Sequence, residues 1–178
     1  TTNDYDSADY YYINKSSLPK VYGGFNTSLS WKGFDLSAIF AYSIGGYIYN
    51  RDITMILHNG SLEGRDWSTE ILKRWTPDNR YTDVPALSTI SNNWNSASTR
   101  FLQNNSYMRL KNLTLSYNLP KQWISKLSLS SVQVYVQGDN LFTIHRNQGL
   151  DPEQGITGIT YYRYPAMRTI SGGINVSF

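Results

Sequence analysis

The residues that could carry chemistry in this chain of 178 are few. His58 and His145 are its only histidines and it has no cysteine, so a nucleophile–base pair or a zinc site has little to be built from. Asp151 and Glu153 in "GLDPE" offer two carboxylates, but two residues apart across a proline they suit a structured loop turn better than acid–base work. Asp4, Asp6 and Asp9 in "NDYDSADYYY" are spaced faintly like a calcium loop, yet the glycine and the closing bidentate glutamate are missing. The expectation is no enzyme, no metal ligands and no cofactor, with calcium at this acidic stretch the one ion left open.

Aromatic side chains are the other candidates. Tyr10, Tyr11, Tyr12, Trp67, Trp75 and Trp94 lie outside the strongly patterned segments, where a ring face can stack on a sugar or a peptide, or pack on a partner. Tyr11, Tyr12, Trp67 and Trp94 are taken as candidate ligand contacts. Local packing competes with that reading. In "STEILKRW", Ser68 is an N-cap candidate, Ile71, Leu72 and Trp75 follow at helical spacing, and Pro77 stops the helix, an arrangement that suits loop core better than ligand contact.

The elements that position these groups are strands. Charged residues make up only 16%, tyrosine occurs 15 times, and Ser, Thr, Asn and Gly fill much of the rest, which suits a sheet with many turns. Lys and Arg are scattered, with no basic cluster to follow a phosphate backbone, so nucleic acid is not an expected partner. No run of about 18 apolar residues exists to form a transmembrane helix. That leaves open a membrane barrel, whose strands need only about ten alternating residues.

Five segments alternate with period two: 24–31, 34–43, 113–119, 132–137 and 169–178. One face collects Phe25, Thr27, Leu29 and Trp31; Phe34, Leu36, Ala38, Phe40 and Tyr42; Leu113, Leu115, Tyr117 and Leu119; Val132, Val134 and Val136; and Ile170, Gly172, Ile174, Val176 and Phe178. All but Thr27 and Gly172 are hydrophobic. The opposite face is polar apart from Ile39, Ala41 and Tyr135.

Two architectures bury such faces: a sandwich, in which they pack on one another, and a barrel, in which they meet lipid. Connection lengths favour the barrel. Lys32-Gly33 is a tight hairpin and 120–131 a medium turn, both at the end of the sheet where the chain terminates, while the two long excursions lie at the other end. Outer-membrane barrels have this asymmetry of short periplasmic turns and long outer loops. Trp31, Tyr117, Trp123 and Phe178 fall at the short-turn end and Tyr42 and Phe142 at the other, as two interfacial girdles would. Arg109 and Lys111 fall in the outward register of the third segment, near its outer end, where long stems can snorkel.

Phe25, Leu29, Trp31, Phe34, Leu36, Phe40, Leu113, Leu115, Val132, Val134, Val136, Ile170, Ile174, Val176 and Phe178 are therefore assigned to lipid. The chain divides as a loop over 1–20, a hairpin over 21–43, a long outer loop over 44–105, a strand-turn-strand over 106–143, an outer loop over 144–167 and a terminal strand over 168–178. Five strands cannot close a barrel without leaving unpaired backbone groups in hydrocarbon, so the sequence is expected to be part of a larger one. A secreted or surface β-sandwich that binds carbohydrate is the competing expectation.

Five stretches carry a family resemblance: "VYGGFNTSLSWKGFDLSAIFAYSIGGYIYN", "RWTPDNRYTDVP", "SYMRLKNLTLSYNLP", "VQVYVQGDNLFTIHRNQGLDPE" and "YPAMRTISGGINVSF". In this order and spacing the chain resembles the C-terminal part of a SusC/RagA-type TonB-dependent outer-membrane transporter. The resemblance implies an antiparallel transmembrane barrel of about 22 strands, occluded by an N-terminal plug. It implies TonB as a partner through an N-terminal part absent here, a SusD-like surface lipoprotein as lid, and oligosaccharide or peptide as cargo. The C-terminus would face the periplasm, and Phe178 resembles the signal read by the barrel-assembly machinery. The acidic stretch 4–9 departs from the glycine-bearing acidic loop that members of the family can carry before this strand.

Overall fold

A computed structural model describes residues 4–60, 62–88, 93–127, 129–147, 149–153 and 155–178. The chain divides into two units, one formed around a five-stranded sheet and one around long loops.

The sheet unit is an antiparallel meander of β1 (Val21–Trp31), β2 (Phe34–Ile44), β5 (Tyr107–Asn118), β6 (Ser131–His145) and β8 (Thr169–Ser177), in the order β1-β2-β5-β6-β8. Period-two patterning drives it, because a one-residue slip in any pair would exchange the oily and wet faces. Lys32 and Gly33 join β1 to β2 with positive φ at both, 48° and 89°, the combination that fits a two-residue hairpin to the twist of its strands. The β5–β6 turn holds α2 (Lys121–Ile124) and one 3-10 turn over Ser125–Leu127.

The third and fourth strands are longer than their alternation suggests. β5 begins at Tyr107 and β6 runs to His145, because an irregularity interrupts the period. Register passes from Leu110↔Phe142 to Asn112↔Asp139, leaving Lys111 on one side and Asn140 and Leu141 on the other outside the ladder. Asn140 takes a left-handed φ of 52° there, and Leu141 folds over Gly138 so closely that a Cβ on that glycine would lie 2.6 Å from Leu141 Cδ2. Such a bulge re-aims the strand on either side of it.

The loop unit comprises residues 4–17, 47–103 and 155–163 among those described. Its small sheet runs β4 (Leu102–Asn104), β3 (Tyr47–Asn50), β7 (Ile159–Thr160), with β3 and β7 parallel. Asn50 ends β3 and caps α1 (Arg51–Ile56), its Oδ1 accepting the amide of Ile53 at 3.0 Å. Asp52 in the first turn ties β7 down, accepting from Thr160 Oγ1 at 3.2 Å and from the Tyr162 amide at 2.9 Å. Ile48, Leu57, Ile71, Val84 and Phe101 are buried and form the unit's apolar core. The helical spacing at 68–75 resolves as a 3-10 turn over Thr69–Lys73, with the Ser68 hydroxyl accepting from the Glu70 amide at 3.3 Å.

No described helix is long and apolar enough to cross a membrane, which says nothing about crossing by strands.

Candidate functional site

The sheet presents two chemically opposite walls. Pairing aligns rows of side chains across the strands: Trp31, Phe34, Tyr117, Val134 and Ile174 in one, Leu29, Leu36, Leu115 and Val136 in the next, and Thr27, Ala38, Leu113 and Ile170 beyond it. Phe25 stacks on Phe40 with centroids 4.7 Å apart, and Phe34 lies 4.5 Å from Tyr117. Most of this wall is open. Leu29 is 66% exposed, Ile170 72% and Ile174 65%, and Leu36, Leu115, Val134, Val136 and Phe178 are exposed as well. A sandwich would cover these side chains with a second sheet.

The other wall is a polar lattice. Asp35 accepts from Ser30 Oγ on one carboxylate oxygen and from Asn118 Nδ2, 2.7 Å away, on the other. Asn112 Nδ2 donates to Asp139 at 2.8 Å, Gln137 Nε2 donates to the same carboxylate at 3.2 Å, and Thr114 donates to Asn112 Oδ1 at 3.0 Å. Nearer the short turns Asn175 donates to Gln133, which donates to Ser116. Neutral amides and hydroxyls with two carboxylates suit a wetted surface that engages polar solutes by hydrogen bonds.

The bulge corrects the assignment of Arg109. Parity counted from Leu113 and Leu115 sends Arg109 and Lys111 to the oily wall. Lys111 instead sits outside the ladder, so the face exchanges there: Leu110 pairs with Phe40 and Phe142 on the apolar side, and Arg109 pairs with Ala41 and Thr143 on the polar side. Arg109 does not snorkel. Its side chain is 3% exposed, and its Nε donates to Thr143 Oγ1 at 2.8 Å, Nη1 to Glu153 at 2.7 Å and Nη2 to Asp151 at 2.6 Å. The Lys111 ammonium reaches the same Glu153 carboxylate.

Asp151 is the keystone of this cluster. Its Oδ1 accepts from Arg109 and from the Glu153 amide at 2.9 Å, and its Oδ2 accepts from the Ala166 amide at 2.7 Å. Burial by itself would raise its carboxyl pKa, but the Ala166 and Glu153 amides and Arg109 outweigh it and hold the group below the ordinary carboxylate range. The turn reading of "GLDPE" holds, since an aspartate bonded to the amide two residues on is an Asx turn. Sequence reasoning missed that Arg109 is the partner. The signal was present: apolar residues fall at even positions in Met108 and Leu110 and at odd positions in Leu113 and Leu115, a phase change that marks the bulge.

The loop aromatics separate into two kinds. Trp67 donates its indole N–H to His58 Nδ1 at 3.1 Å, and Trp94 donates to the Leu57 carbonyl at 2.8 Å while the Arg100 guanidinium covers its ring at 3.7 Å. Both are therefore tethered within the loop unit, Trp94 half-buried and Trp67 still 43% exposed. Tyr11 and Tyr12 stand open, 78% and 92% exposed, with faces available for stacking. No group of three or more acidic or histidine side chains placed to hold a metal occurs among the described residues.

No family model matches the chain. It is 34% identical over 166 residues to TonB-dependent receptor P3 of Formosa agariphila, covering 87% of this chain and 16% of that protein. TonB-dependent receptor SusC of Bacteroides thetaiotaomicron is 29% identical over 174 residues, covering 97% of this chain and 16% of that protein; the chain spans 16–17% of the length of the curated relatives it matches. Among solved structures, the RagAB peptide transporter superimposes with a TM-score of 0.81 at 37% identity, over 93% of this chain and 18% of that one. The chain is homologous to TonB-dependent receptors of the SusC and RagA kind. TonB-dependent receptors are outer-membrane proteins, and the antiparallel meander with its two unlike walls matches part of their barrel. The relatives are named as receptors and importers.

Proposed function

We propose that the chain forms the C-terminal wall and outer loops of a TonB-dependent importer of oligosaccharides or peptides. The observation that carries this reading is the open apolar wall beside a hydrogen-bonded polar one. Lipid is the solvent that suits the first, because its acyl chains ask for no hydrogen bonds, while an aqueous interior suits the second.

The division of labour follows from that placement. The apolar rows hold the wall in the bilayer, with the short turns and Phe178 on the periplasmic side. The polar lattice lines the interior, and the long loops at the other end form the ligand chamber and the contact for a SusD-like lipoprotein. Tyr11 and Tyr12 offer stacking faces to cargo, while Trp67 and Trp94 are tethered through their indole N–H groups. TonB acts through a plug that lies outside these residues. One matched structure is a peptide importer by name, and the name of the SusC relative states no cargo, so the cargo class is tested directly. Disruption of the gene should abolish uptake of one class from a panel of labelled oligopeptides and oligosaccharides, and an uncoupler of the proton-motive force should do the same in the parent strain. Unchanged uptake of both classes after disruption would refute the proposal.

A further inference from the structure

We infer that His58 is an acid-sensitive catch: in its neutral form it holds residues 57–60 and 62–67 of the loop unit closed, and a proton on its ring releases them, Trp67 included. The ring is 1% exposed. Its Nδ1 accepts the Trp67 indole N–H at 3.1 Å and stands 3.4 Å from the amide nitrogens of Gly60 and Leu62, both of which donate to it. The two rings meet edge to face with centroids 5.3 Å apart. A nitrogen that accepts carries no proton, so the imidazole is neutral with its hydrogen on Nε2. That atom is buried as well.

Protonation at Nδ1 turns the acceptor of three N–H groups into a fourth donor pointed at them. It also leaves a cation in a buried site, and no carboxylate among the described residues is ion-paired with the ring. Its hydrogen-bonding neighbours, the Gly60 and Leu62 amides and the Trp67 indole, are neutral. Trp67 comes from its own segment, the Ser88 amide binds the neighbouring Asn59 carbonyl at 2.9 Å, and the Trp94 indole binds the Leu57 carbonyl. Arg65 is the charged group whose field is felt at the ring, and its guanidinium opposes a second positive charge while its backbone favours the proton. Burial is the largest influence, and the net result is a histidine held below its ordinary value.

The sign follows by linkage. The open segment binds the proton more readily than the closed one, so closure is fully present above the ordinary histidine value near 6.5. As pH falls below it, opening rises by up to about tenfold per unit until the closed ring itself takes up a proton. In the chamber proposed above, Trp67 would then be anchored at neutral pH and released in acid; the catch stands on loop geometry and does not depend on lipid facing.

Hydrogen exchange of the protein in detergent micelles tests it, read between pH 7.5 and 5.0 and corrected for intrinsic exchange. Protection of peptides spanning 57–67 should fall about tenfold or more, with that of β2 and β5 unchanged, and His58→Gln should flatten the dependence because an amide does not titrate in this range. Wild-type protection that stays level across the window would overturn the inference whether or not the variant folds. An undiminished dependence in folded His58→Gln would overturn it too.

Discussion

An arginine on the oily wall should cost most in its middle row. Eight residues separate Phe34 from Tyr42 on the apolar side of β2, a span of about 26 Å at ~3.3 Å per residue and about 20 Å in height at a tilt of ~40°. Leu113, paired with Ala38 and in line with Thr27, lies halfway. Leu113→Arg places a guanidinium near the bilayer midplane, where the penalty is about 2–4 kcal/mol, a loss of roughly 30- to 1000-fold in the folding equilibrium. Val134 is four residues nearer the short turns, in the row of Trp31 and Phe34, so Val134→Arg should cost only about 0–1 kcal/mol. Ser28 sits one residue from Thr27 on the polar wall, exposed, and Ser28→Arg at the same depth should be tolerated. Folding into lipid vesicles, followed by heat-modifiable gel mobility and denaturant titration, gives the three values. Equal costs at Leu113 and Ser28, or a larger cost at Val134 than at Leu113, would refute the facing and depth assignments together.

Breaking the buried ion cluster should free the loop after β6. Asp151→Asn leaves the 3%-exposed Arg109 with Glu153 as its remaining carboxylate partner, so the loss should fall below the about 3–5 kcal/mol that a fully unpaired buried charge costs; limited proteolysis within 146–168 should accelerate. Glu153→Gln, at a half-exposed position, should cost about 1 kcal/mol or less. Because Asp151 is held below its ordinary range, the clamp is fully present above about pH 4 and is lost only as pH falls through the depressed value, so protection of that loop should persist at pH 4 in hydrogen exchange. Gly33→Ala, at φ 89°, should destabilise the hairpin by about 1–2 kcal/mol in the same denaturant titration. Trp94→Ala removes the bond to Leu57 and the face under Arg100; protection of 54–60 should drop, and an unchanged exchange pattern would return Trp94 to the list of cargo contacts.

What the sequence disclosed follows from how locally each feature is encoded. Unbroken alternation identifies a strand face from the strand itself, so Phe25 to Trp31 and Phe34 to Tyr42 could be read directly, and Lys32-Gly33 named its own turn. The upper half of β5 could not be read by parity because Lys111 leaves the ladder, and only pairing with β2 and β6 reveals which side Arg109 takes. The Arg109–Asp151 pair, 42 residues apart, depends on where a long loop returns, which no local pattern specifies. Trp67 and Trp94 were ambiguous for a related reason: an indole's partner, here His58 or the Leu57 carbonyl, decides whether the ring is packed or offered. Tyr11 donates only a long hydroxyl bond to nearby Asp9, and the ring faces of Tyr11 and Tyr12 stay open.

The most direct test of the two-walled account is a cysteine scan through β5, from Met108 to Tyr117, in the protein reconstituted with lipid-phase and water-phase quenchers of an attached fluorophore. Lipid quenching should peak at 108, 110, 113, 115 and 117, with the period broken at Lys111 and water-phase quenching or protection at 109, 112, 114 and 116. An unbroken alternation that puts Arg109 with Leu113, or no alternation at all, would contradict it.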